Sequence, residues 1–333
     1  MARQLITVFG GSGFIGRHLV GRLARRDWIV RVAVRDPEAA KFLQPTGDVG
    51  QIVVVRSDIA NRDLVEAAVA GARAVVNLVG ILYESGRSSF AEVHVRGAER
   101  IARAAAASGV QRLVHVSALG ASERSGSVYA TSKAAAEEAV REVFPDAVVL
   151  RPSVVFGPED DFFNKFATMA RFLPNLPVIG AVPRLAFEGG RPVLRFLGDG
   201  GPRFQPVYAG DVADAIVAAL GQPGAAGNTY ELGGPRVCSF QEIMEIVMKE
   251  SGRRRFLAPV PILIAKLQAA VLGLLPRPLL TLDQVELLKH DNVVSAGAKT
   301  LEDLGVQPTP LETVVPKYLA RFRPGGWCRR GMA

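Results

Sequence analysis

Cysteine is nearly missing. Cys238 and Cys328 are the only two in 333 residues, and they stand far apart, outside any metal-ligand spacing. A chain this long needs no disulfide to hold a core, so a reducing compartment is expected. Histidine is almost as scarce. His18, His94, His115 and His290 are the full set, no two share a ligand spacing, and no metal is expected. Aromatics are 7% of the residues, and no basic stripe is interleaved with them, which argues against a nucleic-acid partner. Unbroken apolar runs are absent too. Phe256 to Leu282 is greasy, but Pro259, Pro261, Lys266, Pro276, Arg277 and Pro278 interrupt it, and a membrane span needs about 20 continuous apolar residues. Internal repeats and low-complexity tracts are lacking. The first strand starts within a few residues of Met1, which leaves no room for a signal or transit peptide. The expectation is a protein of the cytoplasmic side of the bacterial inner membrane, not an organelle precursor.

What is present is an ordered, basic composition: 49% hydrophobic, 22% charged, net charge +8. Such a charge suits a nucleotide phosphate or an anionic membrane surface.

Residues Leu5 to Gly16 read LITVFGGSGFIG. Leu5 to Phe9 has the make-up of a buried parallel strand, and Phe14 to Leu23 carries the apolar spacing of a helix. Between them lies a glycine turn. Gly11, Gly13 and Gly16 fit G-x-G-x-x-G, and Gly10, Gly13 and Gly16 fit G-x-x-G-x-x-G. Glycines let the backbone turn sharply and let amides approach a diphosphate at the positive helix end. The candidate cradle is Gly10, Gly11, Ser12, Gly13, Phe14, Ile15 and Gly16.

Strands and helices then alternate. Further strands are expected at Ile29–Val34, Gln51–Arg56, Arg73–Val79, Gln111–Val116 and from Ala147 to Arg151. Helices are expected at Pro37–Leu43, Arg62–Val69, Phe90–Ala107 and Ser132–Val143. The fold class is α/β, a Rossmann-type doubly wound parallel sheet with a smaller, mainly helical C-terminal lobe. The nucleotide domain is expected over residues 1–152 with returns near 205–235, and the second lobe over 153–333. Residues 181–204 lack periodicity and read as a long surface excursion. Thr229 to Leu232 reads as a late strand. Helix starts are signalled by Ser239 with Glu242, Thr281 with Gln284, and Thr309-Pro310 with Glu312. Within the apolar stretch 256–282, a helix apolar nearly all round is either buried in protein or set against something greasy. Arg253-Arg254-Arg255 before it, with Arg321, Arg323, Arg329 and Arg330 at the C-terminus, suit an anionic surface.

Tyr129 and Lys133 lie four apart, on one helix face. An ammonium beside a phenol favours the phenolate and fits it for proton transfer at a carbonyl.

With both motifs, the chain resembles the extended and atypical branch of the short-chain dehydrogenase/reductase superfamily from Leu5 to about Pro235. Supporting stretches are Ser57-Asp58-Ile59, Asn77-Leu-Val-Gly80, Val116-Ser117, Arg151-Pro152-Ser-Val-Val-Phe156-Gly157-Pro158 and Gln205-Pro-Val-Tyr208. The resemblance implies that Asp58 and Ile59 flank an adenine, Val79 and Gly80 pass the adenine ribose, Tyr129 and Lys133 bond the nicotinamide ribose, and Pro152 to Val155 border the nicotinamide. Through GGSGFIGRHLV, FLQPTGDVGQIV, NLVGILYE, HVSALGA, RPSVVFGPEDDFFNKF and QPVYAGDVADAI, the chain is similar to the NADPH-binding accessory subunits of respiratory complex I and their bacterial relatives. That implies complex I subunits and the membrane surface as partners, a peripheral position, and a dinucleotide held without turnover. The alternative is a soluble NADP-dependent oxidoreductase, epimerase or dehydratase using Tyr129 and Lys133 on a carbonyl or sugar-nucleotide substrate. A regulatory NADP sensor of the kind that has lost its tyrosine fits less well, because Tyr129 is present.

Charge favours NADP(H) over NAD(H). NAD-specific folds place a carboxylate at the end of the second strand. Here Arg35 follows Val34 and can grip a 2′-phosphate, while Asp36-Pro37 reads as a helix cap. Two departures count against an enzyme. His94 stands where extended members often carry asparagine. Ala118 and Leu119 hold the positions of the carbonyl-polarising serine, leaving Ser117 or Ser122 as stand-ins. Losing one such donor lowers rates ~100–1000-fold.

Overall fold

The computed structural model describes residues 3–188, 191–273, 275 and 278–325. Cys328, Pro276, Arg277, Arg329 and Arg330 fall outside them. In chain order the first elements are β1 (Gln4–Phe9), α1 (Phe14–Ala24), β2 (Trp28–Val34), β3 (Ile52–Arg56), α2 (Arg62–Val69), β4 (Ala74–Asn77), α3 (Gly97–Ala107), β5 (Arg112–Val116), α4 (Val128–Val143) and β6 (Val148–Pro152). Next come β7 (Val155–Phe156), α5 (Phe162–Phe172), β8 (Asn175–Ile179), β9 (Arg184–Glu188), β10 (Arg191–Arg195), β11 (Arg203–Phe204), β12 (Val207–Tyr208), α6 (Ala209–Gly221) and β13 (Thr229–Leu232). The last are β14 (Cys238–Ser239), α7 (Phe240–Glu250), β15 (Phe256–Val260), α8 (Ile262–Leu272), α9 (Leu282–Leu287) and α10 (Leu311–Leu319).

The chain divides into two compact units. The first holds 1–152, 209–232 and 294–308, and the second 153–208, 233–293 and 309–333. The first is built on a seven-stranded sheet of order β13-β6-β5-β4-β1-β2-β3, in which each pairing is parallel. The continuous apolar runs of β1 and β2 explain their place: Ile6, Val8, Val30 and Val32 are fully buried. The strand order reverses between β1 and β4, which makes the ends of those strands the switch point where such sheets bind ligands. Alanines 102 and 105 let α3 lie close to Leu113 and Val140 in one core cluster.

Several boundaries differ from the sequence expectation. β4 stops at Asn77, not Val79, because the Asn77 Oδ1 accepts the Val79 N–H at 3.0 Å and bends the chain out of the ladder. The expected helix Pro37–Leu43 is a 3₁₀ segment, Glu38–Thr46, with Pro45 inside it. The Phe90–Ala107 helix opens with a π-helical stretch, Ala91–Arg96, before α3. α4 starts at Val128, one turn before Ser132, because Ser127 caps it by accepting the Ala130 N–H.

In the second unit α5, α7 and α10 enclose a core of Phe156, Phe163, Leu176, Phe240 and Ile243. Asp160 is buried there and accepts N–H bonds from Gly157, Phe163 and Asn164 and the Tyr318 hydroxyl at 2.7 Å. The excursion over 181–204 contains an antiparallel hairpin of β9 and β10. Capping boxes at Ser239/Glu242 and Thr281/Gln284 are formed. At the third, α10 begins at Leu311 with Pro310 in the N-cap position. The buried-core alternative for the apolar helix is overturned. Phe256–Val260 is a strand, and in α8 only Ala265 and Ala269 are buried. Among the described residues no helix is long and apolar enough to cross a membrane.

Candidate functional site

The glycine turn sits at the end of β1. Gly10 adopts φ +76°, and its N–H reaches the Ala33 carbonyl of β2. It is the position that demands glycine conformationally. Gly16 is demanded by contact instead, since a Cβ there would overlap the Gly11 carbonyl. A Cβ on Gly11 would come within 2.8 Å of Val32 Cγ1. The G-x-x-G-x-x-G reading therefore carries the backbone strain, and Gly11 carries the packing. α1 has Gly13 at its N-cap, no side-chain cap and no acid in its first turn. Asn61 and Ser127, by contrast, cap α2 and α4. An eleven-residue helix left uncapped at the switch point of a parallel sheet fits a diphosphate.

The strand ends around this turn carry the other candidates. Arg35 is exposed after β2, and among the described residues its guanidinium has no acceptor. The Asp36 Oδ1 accepts the Glu38 and Ala39 N–H groups, so this carboxylate caps the 3₁₀ segment. After β3, the Asp58 Oδ1 accepts the Ala60 N–H, and the Ile59 side chain lies where a Cβ on Gly97 would fall, 2.6 Å away. After β4, Val79 is half-buried and Gly80 exposed. A Cβ on Gly80 would stand 3.2 Å from the Lys133 Nζ.

Lys133 is buried, and its Nζ donates to the Val116 carbonyl at 3.3 Å. Burial pulls its pKa down to about 8. Glu137, one turn on, opposes that shift, but its carboxylate is held by Arg151 through bonds of 2.9 and 2.7 Å. An ammonium with one long backbone bond retains donors for a polyol such as a ribose. The Lys133 Nζ is 6.0 Å from the Tyr129 ring centre. Ser117 closes β5 with its Oγ buried and without a hydrogen-bond partner among the described residues. Ser122 is exposed, and its Oγ accepts the Arg124 N–H. It lines a surface cavity of about 520 Å³ with Glu138 and Arg141 on the outer side of α4. Pro152 ends β6, whereas Val155 belongs to the second unit, where it pairs with Val207.

His94 is the residue whose role the sequence did not disclose. It lies in the π-helical stretch, buried, with its ring stacked on Phe90 at 5.2 Å and edge-on to Tyr129 at 5.4 Å. The Ile81 N–H donates to its Nε2 at 3.0 Å, so Nε2 carries no proton and Nδ1 does. Nδ1 then donates to the Ser132 Oγ at 2.8 Å, and Ser132 donates to the Tyr129 carbonyl at 2.7 Å. Burial, then the charge of Lys133, hold His94 neutral, with a pKa of about 3. His115 is held equally low, chiefly by burial. Its Nδ1 accepts from Asn77, and its Nε2 is buried without a partner among the described residues. Ser132 sits inside Tyr-Ala-Thr-Ser-Lys, the one local clue to this relay. No group of acidic, histidine and cysteine residues suited to a metal occurs among the described residues.

A model of the NAD dependent epimerase/dehydratase family matches residues 6–233. The chain belongs to that family. The family is one of nicotinamide-dinucleotide-dependent proteins, in keeping with the glycine turn. The chain is also similar along nearly its whole length to curated relatives. The NADH-ubiquinone oxidoreductase 40 kDa subunit of Neurospora crassa mitochondria is 34% identical over 322 residues, 96% of this chain and 80% of that protein. The mitochondrial NADH dehydrogenase [ubiquinone] 1 alpha subcomplex subunit 9 of Mus musculus is 36% identical over 323 residues, 96% of this chain and 81% of that protein. Among solved structures, the triphenylmethane reductase of Citrobacter sp. superposes with a TM-score of 0.71 at 19% identity, covering 94% of this chain and 99% of that one. The Thermus thermophilus UDP-glucose 4-epimerase, in complex with NAD, gives 0.65 at 21% identity, over 99% of this chain and 100% of that one. At those identities the structures establish the family fold alone.

Proposed function

We propose that this member of the family is an NADP(H)-holding accessory or assembly subunit of a membrane-bound NADH:quinone oxidoreductase of the complex I type. The observation that carries the reading is the 34–36% identity, over 96% of the chain, to proteins named as subunits of that enzyme. The Gly10–Gly16 backbone would hold the diphosphate, Arg35 the 2′-phosphate, Asp58 and Ile59 the adenine, Val79 and Gly80 its ribose. Tyr129 and Lys133 would hold the nicotinamide ribose, beside Pro152. NADP(H) is preferred to NAD(H) because the β2 end offers a guanidinium with no acceptor among the described residues, while the Asp36 Oδ1 is taken up by backbone N–H groups. Bound, a nicotinamide dinucleotide supplies hydride-transfer chemistry. The chain's own residues are arranged for holding rather than turnover: His94 is locked neutral between Ile81 and Ser132, and Ala118 and Leu119 offer no donor for a substrate carbonyl. The dinucleotide would then act as a structural ligand. The position proposed is peripheral, on the cytoplasmic side of the membrane.

A second reading, a soluble NADP-dependent oxidoreductase, epimerase or dehydratase, is favoured by the Tyr129–Lys133 face and by the partnerless Ser117 Oγ. Purification from native membranes in mild detergent separates the two. Comigration with quinone-reducing activity, with reduced nicotinamide absorbance in the purified protein, supports the subunit. A free protein that oxidises NADPH with a carbonyl substrate and loses this in Tyr129→Phe supports the enzyme.

A further inference from the structure

Helix α8 is built inside out. Its buried positions are alanines, Ala265 and Ala269, packed in one cluster with Ile179, Val260 and Val285. Three of its large side chains point away: Leu263, Leu267 and Val271 are 80%, 71% and 65% exposed. Four residues apart, these three form one stripe along the outer face. A helix facing water places its large aliphatics inward and its small or polar residues outward. The apolar exposure continues past the helix at Leu279 and Leu282. The only charge on α8, Lys266, is paired with Glu286 at 3.1 Å. An exposed face of this kind marks a surface covered by something apolar.

The charge pattern identifies the occupant. Residues 253–282 contain Arg253, Arg254, Arg255, Lys266 and Arg277, and no aspartate or glutamate. Phe172 and Phe256 are exposed as well, each close in sequence to an arginine, Arg171 and Arg254. Among the described residues the guanidinium of Arg254 has no acceptor. Protein interfaces set aromatic anchors and hydrogen-bonding groups into their apolar centre. The α8 stripe has neither. An anionic lipid surface asks for just these two things, aliphatic insertion and nearby guanidinium groups. α8 has eleven residues, about 16 Å of helix, against about 30 Å of hydrocarbon core. It can lie in the membrane plane but cannot cross.

We propose that the outer face of α8, with the exposed Leu279 and Leu282, inserts into the interfacial layer of an anionic lipid bilayer. This deepens the reading of a subunit beside a membrane by naming the lipid-facing surface, and it is measured independently of the dinucleotide. The test is flotation of the purified full-length protein with phosphatidylcholine vesicles, with and without phosphatidylglycerol. The wild type is expected to float with anionic vesicles and weakly with neutral ones. Leu263→Gln/Leu267→Gln/Val271→Gln is expected to lose at least tenfold in vesicle affinity with an unchanged melting temperature and unchanged NADPH binding. Arg171→Glu/Arg254→Glu is expected to lose the preference for anionic vesicles. Equal flotation of the triple variant and wild type overturns the proposal. So does a wild type that ignores both vesicles and forms a defined oligomer that the triple variant dissociates, because the face would then join copies of the chain. NADPH binding retained in either case leaves the dinucleotide reading standing.

Discussion

Arg35 and Asp36 are adjacent in sequence and opposite in charge, and which of them meets the adenosine end decides the nucleotide. The Asp36 Oδ1 already accepts two N–H groups, whereas the Arg35 guanidinium has no acceptor among the described residues. Arg35→Asp is therefore expected to lower NADPH affinity by at least tenfold relative to NADH in a fluorescence titration, since it removes the guanidinium proposed to grip the 2′-phosphate and adds repulsion. An unchanged ratio refutes the NADP(H) preference. His94 supports a prediction of a different kind. Its pKa, and that of His115, fall from 6.5 in the unfolded chain to about 3 in the fold. Between those values the unfolded state binds more protons, so stability falls as pH drops below 6.5, by up to ~1.4 kcal/mol per pH unit for each ring. Urea midpoints from about pH 7 to about pH 4 should show this slope, made shallower by roughly one proton in His94→Asn. If that variant has the wild-type slope, His94 is not neutral in the fold. The glycine pattern was legible in the sequence. The neutral state of His94 was not, because it depends on an Ile81 amide thirteen residues away.

At the scale of elements, α4 matters most, because its first two turns carry Tyr129, Ser132 and Lys133. Its apolar periodicity suggests a start at Ser132. Ser127 starts it earlier by taking the Ala130 N–H, so that Tyr129 is helical and shares a face with Lys133. Ser127→Ala should cost about 1 kcal/mol in urea unfolding and weaken NADPH binding as the first turn frays. Full affinity in this variant would mean that Tyr129 is not held by the helix start. The hairpin of β9 and β10 was hidden in a stretch without periodicity, since antiparallel pairing needs only backbone groups.

For the whole molecule, the alternating strands and helices specified a parallel α/β sheet, and the sheet has that form, with its reversal between β1 and β4. The family assignment and the similarity to complex I subunits rest on motifs that local sequence spells out. Local chemistry also determined the glycine turn, the guanidinium after β2 and the charge bias of residues 253–282, because each depends on neighbours within a few positions. Tertiary structure alone decided three things. It tied the helical α4 to the ends of β4 and β5, through Ser132, His94 and Ile81 on one side and Lys133 and Val116 on the other, contacts that span 13 to 38 residues. It left the Ser117 hydroxyl buried without a partner among the described residues. It also turned α8 so that Ala265 and Ala269 face the protein and Leu263 and Leu267 face out. A helix apolar on every side has no face that its own sequence can mark as inward, so the choice fell to packing, which set Ala265 and Ala269 into the cluster of Ile179, Val260 and Val285.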